Sequence, residues 1–125
     1  MGQLETRSID APDETRKFQQ NGHVDVVTLG DFTLMKGTFR PGWRWSNDVK
    51  PIAGTDSCMA RHTGICLSGR MTVRSDDGTE LTIGPGDVLA LEPGHDAWTV
   101  GDEACILHGH GRHWVRKAGV LRVLT

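Results

Sequence analysis

Four side chains in the middle of this chain are of the kinds that hold transition metals. Asp56, Cys58 and His62 fall at even spacings in the run Asp56-Ser57-Cys58-Met59-Ala60-Arg61-His62, so on a regular strand all three point to one face. A carboxylate, a thiolate and an imidazole are each competent ligands. A mixed set of S, N and O donors suits Zn2+ or another first-row ion such as Fe, Ni or Mn. His95 adds a second nitrogen if the turn at Pro93-Gly94 aims it inward. So few protein ligands would leave a coordination position for water or substrate, as catalytic sites do and structural ones do not. Each residue also has an ordinary use. Cysteine often fills buried space, a buried histidine commonly hydrogen-bonds a carbonyl or carboxylate, and Asp56 can cap the loop before it by bonding its own backbone. A divalent transition metal and no metal at all are both open.

A second group of residues could line a ligand pocket. Trp43, Trp45 and Trp98 offer flat apolar walls for stacking on a planar molecule, although tryptophans serve equally as core. Lys50, beside Pro51, can anchor an anion or simply stand in solvent. His108 has the parity to end an inward-facing strand and reach the same pocket. His95-Asp96 suggests a general base with an orienting carboxylate, but neighbours on a strand face opposite ways. Arg61 and Arg70 read as surface charges.

These residues sit among short apolar runs broken by turn residues. Strands are expected at Val24–Leu29, Phe32–Phe39, Trp43–Trp45, Cys58–Leu67, Met71–Arg74, Glu80–Ile83, Val88–Leu91, His95–Val100 and Ala104–His108. Turns are expected at Gly30-Asp31, Pro41-Gly42, Ser68-Gly69, Asp76-Asp77-Gly78 and Gly84-Pro85-Gly86-Asp87. No segment reads as an amphipathic helix, and residues 47–57 read as a loop. About nine short strands at this spacing make an all-β sandwich or barrel. The sixteen glycines fall at turns rather than in a repeat. Residues 1–22 read as a polar arm suited to pairing with a strand or a second subunit, 23–114 as the barrel, and 115–125 as a tail. His108-Gly109-His110-Gly111-Arg112-His113-Trp114 is His-rich, but its glycines preset no geometry.

The segment Gly86-Asp87-Val88-Leu89-Ala90-Leu91-Glu92-Pro93-Gly94-His95-Asp96-Ala97-Trp98 resembles the second motif of the cupin superfamily, and Cys58 to Gly69 resembles the end of the first. The stretch Pro-Gly-Trp-Arg-Trp-Ser is similar to one found in a subgroup of small bacterial cupins. The resemblance spans roughly residues 23–108 and implies a jelly-roll barrel, the double-stranded β-helix, with its site in the barrel interior. It also implies a metal held by two His and a Glu of the first motif and one His of the second. Here the Glu position is occupied by His62, the two His positions by Asp56 and Cys58, and the second-motif His position by Ala97. None of the four keeps its usual residue. The resemblance further implies a homodimer formed through N-terminal strands.

Composition closes off other classes. Fourteen Lys and Arg against sixteen Asp and Glu leave a net charge of −2, with no electrostatic reason for a nucleic-acid or membrane partner. No apolar run approaches the roughly 20 residues that span a bilayer. The first residues carry no signal-peptide core. Three cysteines are too few, and odd in number, for a secreted disulfide scaffold, so a cytoplasmic protein is expected. Two functions follow. One is a small-molecule-binding cupin with a non-standard, metal-binding or metal-free pocket. The other is a metal-dependent enzyme, oxygenase- or isomerase-like, acting on a small molecule through Asp56, Cys58, His62 and His95.

Overall fold

The computed structural model describes residues 4–110, 116–117 and 120–121. In chain order the strands are β1 (Glu14–Lys17), β2 (Gly22–Leu29), β3 (Phe32–Phe39), β4 (His62–Ser68), β5 (Arg70–Ser75), β6 (Glu80–Ile83), β7 (Val88–Leu91), β8 (His95–Val100), β9 (Cys105–His110), β10 (Arg116–Lys117) and β11 (Val120–Leu121). Two single helical turns, α1 (Trp45–Asp48) and α2 (Lys50–Ala53), lie between β3 and β4. A six-stranded antiparallel sheet runs β1-β2-β3-β9-β4-β7, a three-stranded sheet runs β6-β5-β8, and β10 pairs with β11. Of the tail, only these two strands lie within the described residues; His113 and Trp114 do not.

The core fills the space enclosed by the two larger sheets. Alternation puts Met35 and Phe39 of β3, Val24 and Val26 of β2, Met71 and Val73 of β5, and Ala97 of β8 on buried positions, as two-residue periodicity requires. Trp43, Trp45 and Val49 close the same core from the α1 segment. Phe39 packs its ring against Trp43 at 4.6 Å between centroids, edge to face, a favoured aromatic geometry. Strands β4 and β9 lie so close that a Cβ on Gly64 would stand 2.0 Å from the His108 carbonyl oxygen, so this pairing requires glycine. Cys58, Cys66 and Cys105 are all free and buried.

Two strand expectations from the sequence need correction. The strand expected over Trp43–Trp45 is instead a bridge from Arg44 to Trp98 followed by a helical turn. Asp48 Oδ2 accepts the Arg44 N–H at 2.9 Å and Asp96 Oδ1 accepts the Ser46 N–H at 3.1 Å. Those two carboxylates satisfy donors that the start of a helix leaves free. The strand expected from Cys58 begins only at His62. The arm contributes β1, which pairs with β2 of its own chain in the register Glu14↔Val26 to Lys17↔His23.

Candidate metal centre

Cys58, His62 and His95 bring their donor atoms within 4.8 Å of one another, and all three residues are buried. Each arrives by a different device. Cys58 is held by an isolated bridge to His95: its N–H donates to the His95 carbonyl at 2.7 Å, and its own carbonyl accepts the Gly94 N–H at 2.7 Å. Gly94 makes that turn with φ +95°, a conformation that side chains bearing a Cβ rarely adopt. His62 is the first residue of β4, and its Nε2 lies 3.4 Å from Cys58 Sγ. His95 opens β8, and its ring lies 5.3 Å from that of His62, tilted by 66°.

The hydrogen bonds set the protonation states. His95 Nδ1 donates to the Glu92 carbonyl at 2.7 Å, which fixes the tautomer and leaves Nε2 as the lone-pair nitrogen. Burial holds the His95 pKa below its ordinary value, with the Glu92 carbonyl opposing the shift. Burial also pushes the Cys58 thiol up to about 12, against an opposing hydrogen bond from the Ala60 backbone. By itself this thiol is protonated at neutral pH and is no nucleophile. A divalent cation reverses that, because a coordinating thiol gives up its proton.

The donor set fits such an ion. A tetrahedral centre with Zn–S and Zn–N bonds of ordinary length places its ligand atoms about 3.3–3.8 Å apart. The sulfur–nitrogen distance of 3.4 Å already lies in that range.

His62 and His95 form part of the wall of an interior cavity, together with Trp43, Trp45, Met35, Met71, Leu89, Leu91, Leu107 and Ala97. The cavity leaves about 40 Å3 through which the centre of a water molecule can move, room for about three water-sized groups. Ala97, at the position where the resembling motif has its histidine, and His95, two residues earlier, are both buried and both line this cavity. His95 thus stands one pleat before that position on the same inward face.

The remaining residues singled out in the sequence lie elsewhere. Asp56 is fully exposed and stands 3.8 Å from Lys50 Nζ; the two border a shallow surface hollow with Ser46, Pro51, Gly54 and Thr55. The parity that placed Asp56 beside Cys58 presumed a continuous strand, and none exists before His62. Trp43 and Trp45 line the cavity, whereas Trp98 lies one residue out of phase with Ala97 and stacks under the Arg44 guanidinium at 4.4 Å. His108 borders the cavity, but its register partner is Lys36, while Leu107 and Gly109 pair with the inward residues Gly37 and Met35. Its side chain therefore stands on the outer face of the sheet. Burial, aided by the Lys36 charge, lowers its pKa. Asp96 does not orient His95; it serves Arg44 and Ser46. The sequence reading missed the Glu92 carbonyl, which no side-chain pattern encodes. It also missed Met35 and Leu89, whose alternation within β3 and β7 was the available signal.

Two antiparallel sheets that enclose the core and an interior cavity are consistent with the jelly roll of the cupin fold, the double-stranded β-helix. No family model matches the chain, and no curated protein matches it. Solved structures do. Over 87% of its length the chain is similar to 88% of a cupin 2 conserved barrel domain protein from Salinispora arenicola, with 20% identity and a TM-score of 0.60. A protein of unknown function from Rhizobium leguminosarum bv. viciae is matched over 87% of this chain and 96% of that one, with 20% identity and a TM-score of 0.56. An oxalate decarboxylase variant from B. subtilis is matched over 93% of this chain but 32% of its own, with 14% identity and a TM-score of 0.60. At these identities the likeness is one of fold.

Proposed function

We propose that this protein is a small-molecule-binding cupin whose Cys58, His62 and His95 hold a divalent transition metal beside the interior cavity. The observation that carries the reading is the convergence of three buried donor atoms within 4.8 Å. Their type narrows the ion. Thiolate and imidazole favour Zn2+ or Fe2+ over Mn2+, which prefers oxygen ligands. Three protein ligands leave a position open, and when bound the ion supplies a Lewis acid or activates water or dioxygen. The protein's own part is to keep His95 in one tautomer, to exclude bulk water through an apolar wall, and to admit only a small ligand. The three free, buried cysteines support a reducing compartment, and we place the protein in the cytoplasm. No helix among the described residues is long and apolar enough to cross a membrane.

A metal-free pocket is the second reading. The 3.4 Å contact between Cys58 Sγ and His62 Nε2 favours it, because that contact satisfies both groups without an ion. Elemental analysis of the purified full chain separates the two. Near-stoichiometric Zn or Fe that is lost in Cys58→Ser and His62→Ala supports the metal reading. A metal-free protein whose stability is indifferent to added Zn2+ and Fe2+ overturns it.

A further inference from the structure

The odd number of cysteines resolves in the fold into a pair and a single residue. Cys58 Sγ faces His62, whereas Cys66 of β4 and Cys105 of β9 bring their sulfurs to 4.0 Å from each other. Both of these residues are 0% exposed, and they lie 39 positions apart in the chain. Two features of the backbone make them meet. The register of β4 on β9 shifts between Cys66 and Ser68, and the turn that follows presses onto the start of β9. Gly69 in that turn has φ +73°, and a Cβ on it would stand 2.2 Å from the Ala104 carbonyl oxygen and 2.6 Å from Cys105 Cα.

The pair is reduced, and the core holds its protons in place. Cys66 Sγ donates to the Ser68 carbonyl at 3.4 Å, a weak bond because S–H is a weak donor. Burial raises the pKa of both thiols, and the charge of Cys66 adds to the rise at Cys105. Protonated and out of water, neither attacks an electrophile while the fold is closed. The geometry of a bond is nonetheless nearly in place. A disulfide has its sulfurs about 2.05 Å apart, so each sulfur has only about 1 Å to travel. Forming it also removes two buried S–H groups that the core satisfies only weakly.

We infer that Cys66 and Cys105 form an internal disulfide when a low-molecular-weight disulfide is present, fastening β4 to β9, and that Cys58 takes no part in it. Local opening exposes one thiol, which loses its proton and attacks a sulfur of the reagent. The reagent's S–S bond breaks and one thiolate leaves. The second cysteine, deprotonated in turn, attacks the protein sulfur of the mixed disulfide, and the second thiolate leaves. Two cysteines are oxidised, one disulfide is reduced to two thiols, and the two protons end on those thiols. The bond ties the strand that begins with His62 to the strand that brings Leu107 to the cavity wall. It does not depend on the metal reading.

Oxidised glutathione is the probe. The full-length protein is held with it about 10 °C below the melting temperature, where local opening admits the reagent, and a control is held with reduced glutathione. Free thiols are then alkylated in denaturant. Trypsin leaves Cys58, Cys66 and Cys105 on separate peptides, residues 45–61, 62–70 and 75–112. The expected product is one cross-link, between 62–70 and 75–112 of the same chain. It raises the melting temperature by about 5–10 °C, because the bond closes a long loop, and dithiothreitol reverses the rise. Cys66→Ala and Cys105→Ala each abolish the cross-link and the rise, while Cys58→Ala keeps both. The inference falls if no link forms between those two peptides, or if the link involves Cys58 or a second chain. It falls equally if the linked protein melts no higher than the reduced one.

Discussion

The interior cluster and the surface hollow around Lys50 both hold residues that the sequence marked for one site, yet they differ in every property that makes a site. Cys58, His62 and His95 are buried, held by main-chain bonds and backed by a carbonyl on His95 Nδ1. Asp56 is exposed and Lys50 half-buried, and the two meet at 3.8 Å. Water screens the second pair and each side chain gives up entropy to hold it, so such pairs contribute little. In the first group the ordering cost is met by the fold itself, and the low dielectric sharpens whatever the donors bind. Chemistry depends on which groups the backbone holds still and keeps dry.

The contrast can be broken most severely at the donors. His95→Gln and His62→Ala remove a ligand from a three-ligand set, and bound metal should fall from near one per chain to undetectable by elemental analysis. If either variant retains full metal, the site lies elsewhere. In the wild type, free ion at about a hundred times its dissociation constant should add about 3 kcal/mol to unfolding stability. Thermal or denaturant melts with and without chelator measure this.

A smaller effect is expected from Gly94→Ala. The residue has φ +95°, and a Cβ there would stand 3.0 Å from Asp76 Oδ2. The strain should cost about 1–3 kcal/mol and weaken metal binding, because the same turn carries His95. Unchanged stability and unchanged affinity would show that the turn does not hold the histidine.

Proton linkage gives a subtler test. His95 has a folded pKa held below the unfolded value of 6.5, so the unfolded chain binds the proton more readily. Its contribution is full above about pH 6.5 and is lost as the pH falls below that. His95→Gln should flatten this acid limb. Cys58 has the opposite sign. Its pKa rises from 9.0 to about 12 on folding, so its contribution is present below pH 9 and is lost as the pH rises towards 12. Metal binding at neutral pH should release about one proton from this thiol, which calorimetry in buffers of different ionisation enthalpy reads directly.

Asp56→Asn is expected to do least, leaving metal content and melting temperature where they were. A loss of metal in that variant would return Asp56 to the site from which the fold removes it.

Much of this architecture was legible in the chain. Phe32–Phe39, Glu80–Ile83, Val88–Leu91 and His95–Val100 are bounded by turns whose residues dictate where pairing stops, and the strands end there. The two helical turns after Trp43 were not legible, because one turn leaves no periodicity and the carboxylate that caps Ser46 comes from Asp96. His108 and Asp56 were assigned inward by parity. Parity needs a phase, and in β9 the pairing of Phe39 with Cys105 supplies it, a contact no local pattern contains. Cys58 and His62 were found by an alternation that the chain does not follow between them. They meet because the segment bends, with Cys58 pinned to His95.

That pinning makes the site a product of the whole fold. The bridge between Cys58 and His95 joins segments separated by β4, β5, β6 and β7, so the three donors meet only through a contact of long sequence separation. In a zinc finger the ion draws the chain together. Here the donors depend on that long-range pairing, and an ion that settles between Cys58, His62 and His95 meets a site the whole fold assembles. Its identity would then depend on which metal is on offer at that moment, as well as on the preferences of sulfur and nitrogen.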